Sequence, residues 1–248
     1  SGAKKTISFE KRYSKLLLTH VVNRNISSES NASKAIEHRM ALLKPLGIDF
    51  NLITPKIFLS EEEIGIGKQK LIEAKIDISK NIIMISALGS QDIKNYPLQY
   101  MAEVLDYIVA QKEVQILFNY LPWQQNQAIE IFNLCNETTK KNIFIDFFQD
   151  DLREFLAILF HCKALIGNEG GAANMAKALQ IPTFSIYSPG IIKTDWNVFE
   201  NTTTNISVHY DDYADELPNE GDLFQKYSKF KPNYFYDKLL DFLNFNCK

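Results

Sequence analysis

Hydrophobic and polar positions alternate on two periods along the middle of this chain. Between residues 81 and 187, short β-branched and aliphatic runs are separated by longer stretches whose apolar residues recur every three or four positions. The first period suits buried strands and the second amphipathic helices, so the pattern predicts βαβ units on a mainly parallel sheet. Strands are expected at 81–87, 114–120, 142–146, 164–167 and 183–187, and helices at 98–111, 123–135, 152–161 and 172–179. Pro97 suits the first position of a helix, and Pro182 lies just past the end of another, where it helps to stop it.

The flanks read differently. Strands are expected at 6–9 and 16–21, a polar loop at 23–33, a helix at 35–46 closed by Gly47, and an acidic-to-basic helix at about 60–74. That is too little regular structure for a second complete α/β domain. Residues 1–78 therefore read as the end of one domain plus a linker, and residues 79–248 as a Rossmann-like domain. Past Tyr187 the alternation stops: an irregular stretch holds Trp196, an acidic loop covers 211–222, and a short amphipathic helix spans 234–245.

Composition narrows the function classes. With 248 residues, 46% hydrophobic and 23% charged, the chain can bury a substantial core. A formal charge of -3 supplies no general attraction to nucleic acid or an anionic membrane, and nucleic acid is not an expected partner. Cys135, Cys162 and Cys247 are widely spaced, as are His20, His38, His161 and His209, so neither a disulfide framework nor a metal site is expected and a reducing cytoplasm fits best. No apolar run approaches a membrane span of about 20 residues. Ser1 and Gly2 resemble a cloning remnant.

Two loops carry chemistry. In an open parallel sheet, ligands bind beyond the carboxyl ends of the strands, where loops enter helix amino termini with free N–H groups. In the run Gly167-Asn168-Glu169-Gly170-Gly171-Ala172-Ala173-Asn174, the glycine pair lets the backbone approach a ligand, and the new helix aims its N–H groups at anionic oxygens. Glu169 at the strand end and Asn174 in the first helical turn can face the same ligand. The same residue types also suit a tight turn that serves only helix–sheet packing. The second loop, 88–97, offers the Ser90 hydroxyl and the Lys94 ammonium beside another helix start, a means of holding phosphate. An isolated lysine there equally suits a solvated surface position.

Taken together, these segments resemble glycosyltransferase family 9, which includes the lipopolysaccharide heptosyltransferases. Lys94-Asn95-Tyr96-Pro97 matches that family's lysine-x-tryptophan-proline loop with Tyr96 in place of tryptophan. The segment 167–179 matches its Asp-Thr/Ser-Gly-x-x-His turn and helix, 181–189 is similar to its next strand, and 39–48 resembles its inter-domain segment. Here Glu169 stands for the family's aspartate, Gly170 for its threonine or serine, and Asn174 for its histidine. The glutamate keeps the carboxylate on a longer arm, whereas asparagine cannot titrate.

The resemblance implies a GT-B architecture of two Rossmann-like domains, of which this chain supplies the carboxyl-terminal, donor-binding part. It implies inverting transfer of heptose or a related sugar from a nucleotide-diphosphate donor to a glycolipid or surface-glycan acceptor such as lipopolysaccharide. No cofactor and no metal are implied, and a peripheral location at the cytoplasmic face of the inner membrane is. Ser90, Lys94, Glu169, Gly170, Gly171 and Asn174 would hold the donor, with Gln124 and Gln125 as weaker candidates for the nucleoside. The catalytic carboxylate is expected in the amino-terminal domain, about 100 residues of which would precede Ser1. The alternatives are a nucleotide-sugar 2-epimerase on the same architecture and a non-catalytic nucleotide-binding module.

Overall fold

A computed structural model describes residues 2–24, 30–49, 51–218 and 220–248. Ser1 and five residues of the polar loop expected at 23–33, residues 25–29, lie outside this set. The chain forms two compact units, Ser1–Thr54 with Ile192–Glu200, and Pro55–Ile191 with Asn201–Lys248.

Among the described residues, the first unit holds a two-stranded parallel sheet, β1 (Ile7–Phe9) beside β2 (His20–Val22), a helix of eight residues, α1 (Lys34–Ala41), and two single-turn helices, Ser14–Leu17 and Lys193–Trp196. The strand expected at 16–21 is shorter than its apolar run. Residues Ser14–Leu17 form a helical turn instead, held by the buried Ser14 hydroxyl, which accepts from Lys11 N–H and donates to Lys11 C=O, both at 2.8 Å. This local side-chain bonding competes with strand formation. Gly47 adopts φ 70° at the end of the short 3-10 turn Lys44–Leu46, as its place after the helical pattern predicts.

The second unit begins with α2 (Glu61–Glu73), whose start is a full capping box between Ser60 and Glu63. Five parallel strands follow: β3 (Asn81–Ser86), β4 (Val114–Asn119), β5 (Ala164–Asn168), β6 (Thr183–Ile186) and β7 (Asn205–Val208). They are arranged in the order β4-β3-β5-β6-β7. The longer helices are α3 (Leu98–Gln111), α4 (Gln125–Leu134), α5 (Leu152–Leu159), α6 (Gly171–Ala178), α7 (Leu223–Lys229) and α8 (Tyr236–Asn246).

Strand residues alternate between two cores, as the two-residue period of a pleated sheet requires. Ile83, Ile85, Ile116, Phe118, Ile166 and Phe184 pack with α3, α4 and α8. Ile82, Met84, Leu117 and Leu165 pack on the other face with α2, α5 and α6. Both faces are covered, which explains why the strands read as nearly continuous apolar runs. Helix α2, which the sequence placed before the division at residue 78, belongs to this unit. A Cβ on Gly67 would lie 2.6 Å from the Ala157 carbonyl oxygen, so glycine allows α2 to approach α5 closely, and Arg153 pairs with Glu63 at 2.6 Å beside that contact.

One expected strand is replaced by another. Segment 142–146 makes only an isolated parallel bridge, in which Ile116 N–H donates to Asn142 C=O (2.8 Å) and Phe144 N–H to Ile116 C=O (3.0 Å). The chain then turns away, with Phe147 N–H bonded to Phe144 C=O. The fifth strand is β7, where residues 188–205 give way to the short alternation of Asn205–Val208. Its start is organised by Asn201, whose Oδ1 accepts from the N–H groups of Thr203, Thr204 and Asn205 at 2.7–3.0 Å. Helix α7 likewise forms at the end of the segment read as an acidic loop, because Asp222 caps it and Gln225 completes the capping box.

Candidate functional site

The strand order reverses at β3. The chain passes from β3 to β4 on one side, and the next strand, β5, returns to the other side of β3. The loops leaving the carboxyl ends of β3 and β5 consequently diverge and leave a crevice, the position at which open α/β sheets bind ligands. Both loops singled out in the sequence lie there. A cavity of about 320 Å³ between them is lined by Ser90, Lys94, Glu169, Gly170 and Gly171. Asn174 is exposed on α6 and is not part of that lining.

The two loops are positioned by different means. The loop after β3 is tied down by side-chain amides. Asn168 at the end of β5 is fully buried; its Oδ1 accepts from Tyr96 N–H at 2.7 Å, and its Nδ2 donates to the Ser86 and Ala87 carbonyls at 3.1 and 2.8 Å. Asn95 Oδ1 accepts from Gly89 N–H at 2.8 Å. Gln124 accepts from Leu121 N–H (2.9 Å) and donates to Gly89 C=O (2.7 Å), joining this loop to the one after β4. Both ends of the Gln124 amide are thus engaged within the protein, and Gln125 is exposed outside the cavity lining. Tyr96 is wholly buried, its hydroxyl donating to Phe230 C=O at 2.6 Å within a cluster of Tyr100, Tyr227, Phe230 and Phe235. The aromatic position of the Lys94-Asn95-Tyr96-Pro97 segment is a core anchor that holds the loop backbone beside Lys94.

The loop after β5 is set by its backbone. Gly167 has φ +131°, and a Cβ there would sit 2.4 Å from the Ser86 carbonyl oxygen, so glycine permits the close approach of β5 to β3. Gly170 has φ +157°, while both it and Gly171 face open space at their Cβ positions. Helix α6 starts at Gly171, and its first-turn N–H groups have no carbonyl four residues earlier in the helix to bond.

Electrostatics focus on one pair. Lys94 Nζ lies 3.6 Å from Glu169 Oε1, with the Glu169 side chain 11% exposed. That oxygen is buried and has no hydrogen bond among the described residues. Tyr227 approaches from α7, its hydroxyl 3.4 Å from Lys94 C=O. Burial and the neighbouring Glu169 carboxylate raise its pKa far above the usual phenol range, keeping the hydroxyl neutral. The far wall is formed by Phe148 stacked on Tyr120 (4.6 Å between centroids), together with residues 149–152.

A lysine, a buried carboxylate with spare acceptor capacity and a helix amino terminus therefore meet at one crevice. That combination suits a ligand with both anionic oxygens and hydroxyl donors. The sequence missed the bracing role of Asn95 and Asn168 and the aromatic wall. A polar side chain closing the otherwise apolar run Ala164–Asn168, and the capped helix start at Asp151, were the available signals.

The model of glycosyltransferase family 9 (heptosyltransferase) matches residues 1–220. The chain belongs to this family. No curated protein matches it at a significant level. Among solved structures, the ADP-heptose lipopolysaccharide heptosyltransferase II of E. coli superposes with a TM-score of 0.66 at 14% identity, over 98% of this chain and 71% of the other. A family 9 glycosyl transferase from Veillonella parvula DSM 2008 gives 0.71 at 13% identity, over 98% and 68%. E. coli heptosyltransferase WaaC with ADP gives 0.56 at 14% identity, over 91% and 60%. These likenesses agree with the GT-B-type α/β architecture. Among the described residues, no helix is long and apolar enough to cross a membrane.

Proposed function

We propose that the β3–β5 crevice holds the diphosphate and sugar of a nucleotide-sugar donor, and that the chain supplies the donor-binding part of an inverting glycosyltransferase. The acceptor would be a glycolipid or surface glycan of the lipopolysaccharide class, met at the cytoplasmic face of the membrane. The observation that carries the reading is the convergence of Lys94, Glu169 and the α6 amino terminus at the topological switch point. Family membership supports the reaction type.

In such a transfer, an acceptor hydroxyl gives its proton to a general base and attacks the anomeric carbon, the bond from that carbon to the diphosphate oxygen breaks, and the nucleoside diphosphate departs with the bonding electrons. The developing negative charge is met by the Lys94 ammonium and the first-turn N–H groups of α6, electrostatic stabilisation in a preorganised site. Glu169 is a poor neighbour for phosphate. It instead accepts from sugar hydroxyls, beside the diphosphate met by Lys94 and the α6 amino terminus. Ser90, exposed at the mouth, donates to a phosphate oxygen. Asn174 lies one helical turn further out, where it reaches only the outer part of a bound donor. The solved relative with ADP makes that nucleotide the first to test.

Calorimetric titration of the chain with ADP, UDP, GDP and CMP tests the proposal. One nucleotide is expected to bind saturably and to lose severalfold or more in affinity with Lys94→Ala, the loss expected for a charge-assisted contact. No binding by any of the four, or equal affinity in the variant, would sink the donor site. Release of the nucleoside diphosphate only with a glycan acceptor favours transfer; donor epimerisation without acceptor favours the isomerase.

A further inference from the structure

The first unit contains a second cluster of charge, separate in sequence and in lining residues from the donor crevice. Arg24, Lys34, His38 and Arg39 line a cavity of about 260 Å³ together with Asp195 and the aromatic rings of Phe9 and Trp196. Three cationic side chains there face one carboxylate. Asp195 is already engaged by Lys34, Oδ1 to Nζ at 3.3 Å, so the charges of Arg24 and Arg39 are left uncompensated by the other lining groups. Arg39 spends one nitrogen on the Ala35 carbonyl of its own helix, at 2.6 Å, which holds the guanidinium against α1 and leaves its other N–H groups available.

A buried polar atom of the lining is also unsatisfied. His38 Nε2 is buried without a hydrogen bond among the described residues, and so, outside the cavity lining, is the hydroxyl of Ser33 immediately before α1. Ser33 is 3% exposed and holds φ +81°, a left-handed conformation that is costly for a residue with a Cβ. Buried side-chain polar atoms in native proteins nearly always have partners, and strained backbone concentrates at binding sites. The aromatic side chains add an apolar surface, since Trp196 is half exposed at the cavity and Phe9 lies against the His38 ring with centroids 5.8 Å apart.

We propose that this cavity binds a small organic oxyanion, a phosphate monoester or carboxylate, whose charged oxygens meet Arg24, Arg39 and the His38 Nε2–H while its carbon framework lies against Trp196. Planar guanidinium groups match the geometry of such oxyanions, and an oxyanion oxygen gives the buried His38 Nε2 a hydrogen-bond partner. A Trp face supplies contact area for the non-ionic part of the ligand.

The test is calorimetric titration of the full chain with inorganic phosphate and with glucose 6-phosphate. Both should bind saturably, the sugar phosphate more tightly. Arg24→Gln and Arg39→Gln should each weaken binding by roughly tenfold, the loss of a charge-assisted hydrogen bond. Lys94→Ala should leave it unchanged, which separates this cavity from the donor crevice. Titrated sugar phosphate should also change the tryptophan fluorescence of the parent but not of Trp196→Phe, which retains Trp123. Because Arg24 and Arg39 are exposed, their variants should fold, and unaltered thermal melting in the absence of ligand checks this. Binding that disappears in Lys94→Ala, that ignores both arginine substitutions, or that never saturates would overturn the proposal. Equal affinity for phosphate and sugar phosphate, with fluorescence unchanged in the parent, would overturn the organic part of it.

Discussion

The two loops that form the β3–β5 crevice reach the same edge of one sheet by opposite means. The loop after β3 is built from side chains: Asn168, Asn95 and Gln124 satisfy its backbone groups, and Tyr96 anchors it in an aromatic core. The loop after β5 depends on backbone freedom, with Gly167 and Gly170 at positive φ and open space around the glycine pair. A loop braced by side chains can present a flexible lysine at a fixed height above the sheet. A loop shaped by glycine leaves room for a ligand to touch the backbone itself. One crevice thus joins a movable charge to fixed dipoles, which suits a ligand whose charge changes during reaction.

Removing the brace should have the largest effect. Asn168→Ala leaves the Tyr96 N–H and the Ser86 and Ala87 carbonyls without their buried partner. It should cost about 2–4 kcal/mol of stability in denaturant unfolding, given the penalty for each unsatisfied group. A loss below about 0.5 kcal/mol, the range of ordinary surface changes, would mean that the β3 loop holds its shape without this amide.

Next comes the glycine pair, where two neighbouring substitutions should separate. Gly170→Ala places a Cβ on a residue with φ +157° and should cost about 1–3 kcal/mol. Gly171→Ala meets no neighbour and has ordinary helical geometry, so its melting temperature should stay close to that of the parent. If Gly171→Ala nevertheless weakens nucleotide binding in calorimetry, close approach of the ligand to the backbone is the reason for glycine there. Similar melting shifts in both variants would remove the distinction between them.

Lys94→Ala follows, with a severalfold loss of nucleoside-diphosphate affinity and little change in melting, since the loop is braced by other side chains. The smallest effect concerns pH and lies away from the crevice. Arg153 and the Ser60 N–H beside Glu63 lower its pKa from 4.5 to about 2. Because the folded value is depressed, the stabilisation is present above the unfolded pKa and is lost as pH falls from about 4.5 through 2. Glu63→Gln should therefore flatten the acid limb of a melting-temperature profile in that window, slightly, because the pair is solvent-screened. An unchanged acid limb would show that the ion pair contributes nothing to folding.

Much of the architecture was legible because long-period and two-residue patterns coincide with burial. Ile83, Ile85 and Ile116 alternate with Ile82, Met84 and Leu117 between two helix layers, and Met101, Leu105 and Ile108 mark the buried face of α3. The misreadings occurred where local chemistry outweighed pattern. Residues 142–146 are apolar enough for a strand but meet only Ile116 at the sheet's edge, while β7 is four residues long and its start depends on the Asn201 side chain. In the site, the glycine pair and Lys94 stood out by residue type. Asn168 did not, because its role consists of three hydrogen bonds to residues more than 70 positions away.

The sequence by itself determined the alternation of strands and helices, the two chemistry-bearing loops and the family resemblance, since propensity, periodicity and motif order are local properties of the chain. Only the tertiary structure decided that those loops meet. Their meeting depends on β5 pairing beside β3 rather than beside β4, a long-range choice made by helix packing on both sheet faces. The same packing brings Lys94 within 3.6 Å of Glu169, residues 75 positions apart that no local pattern connects.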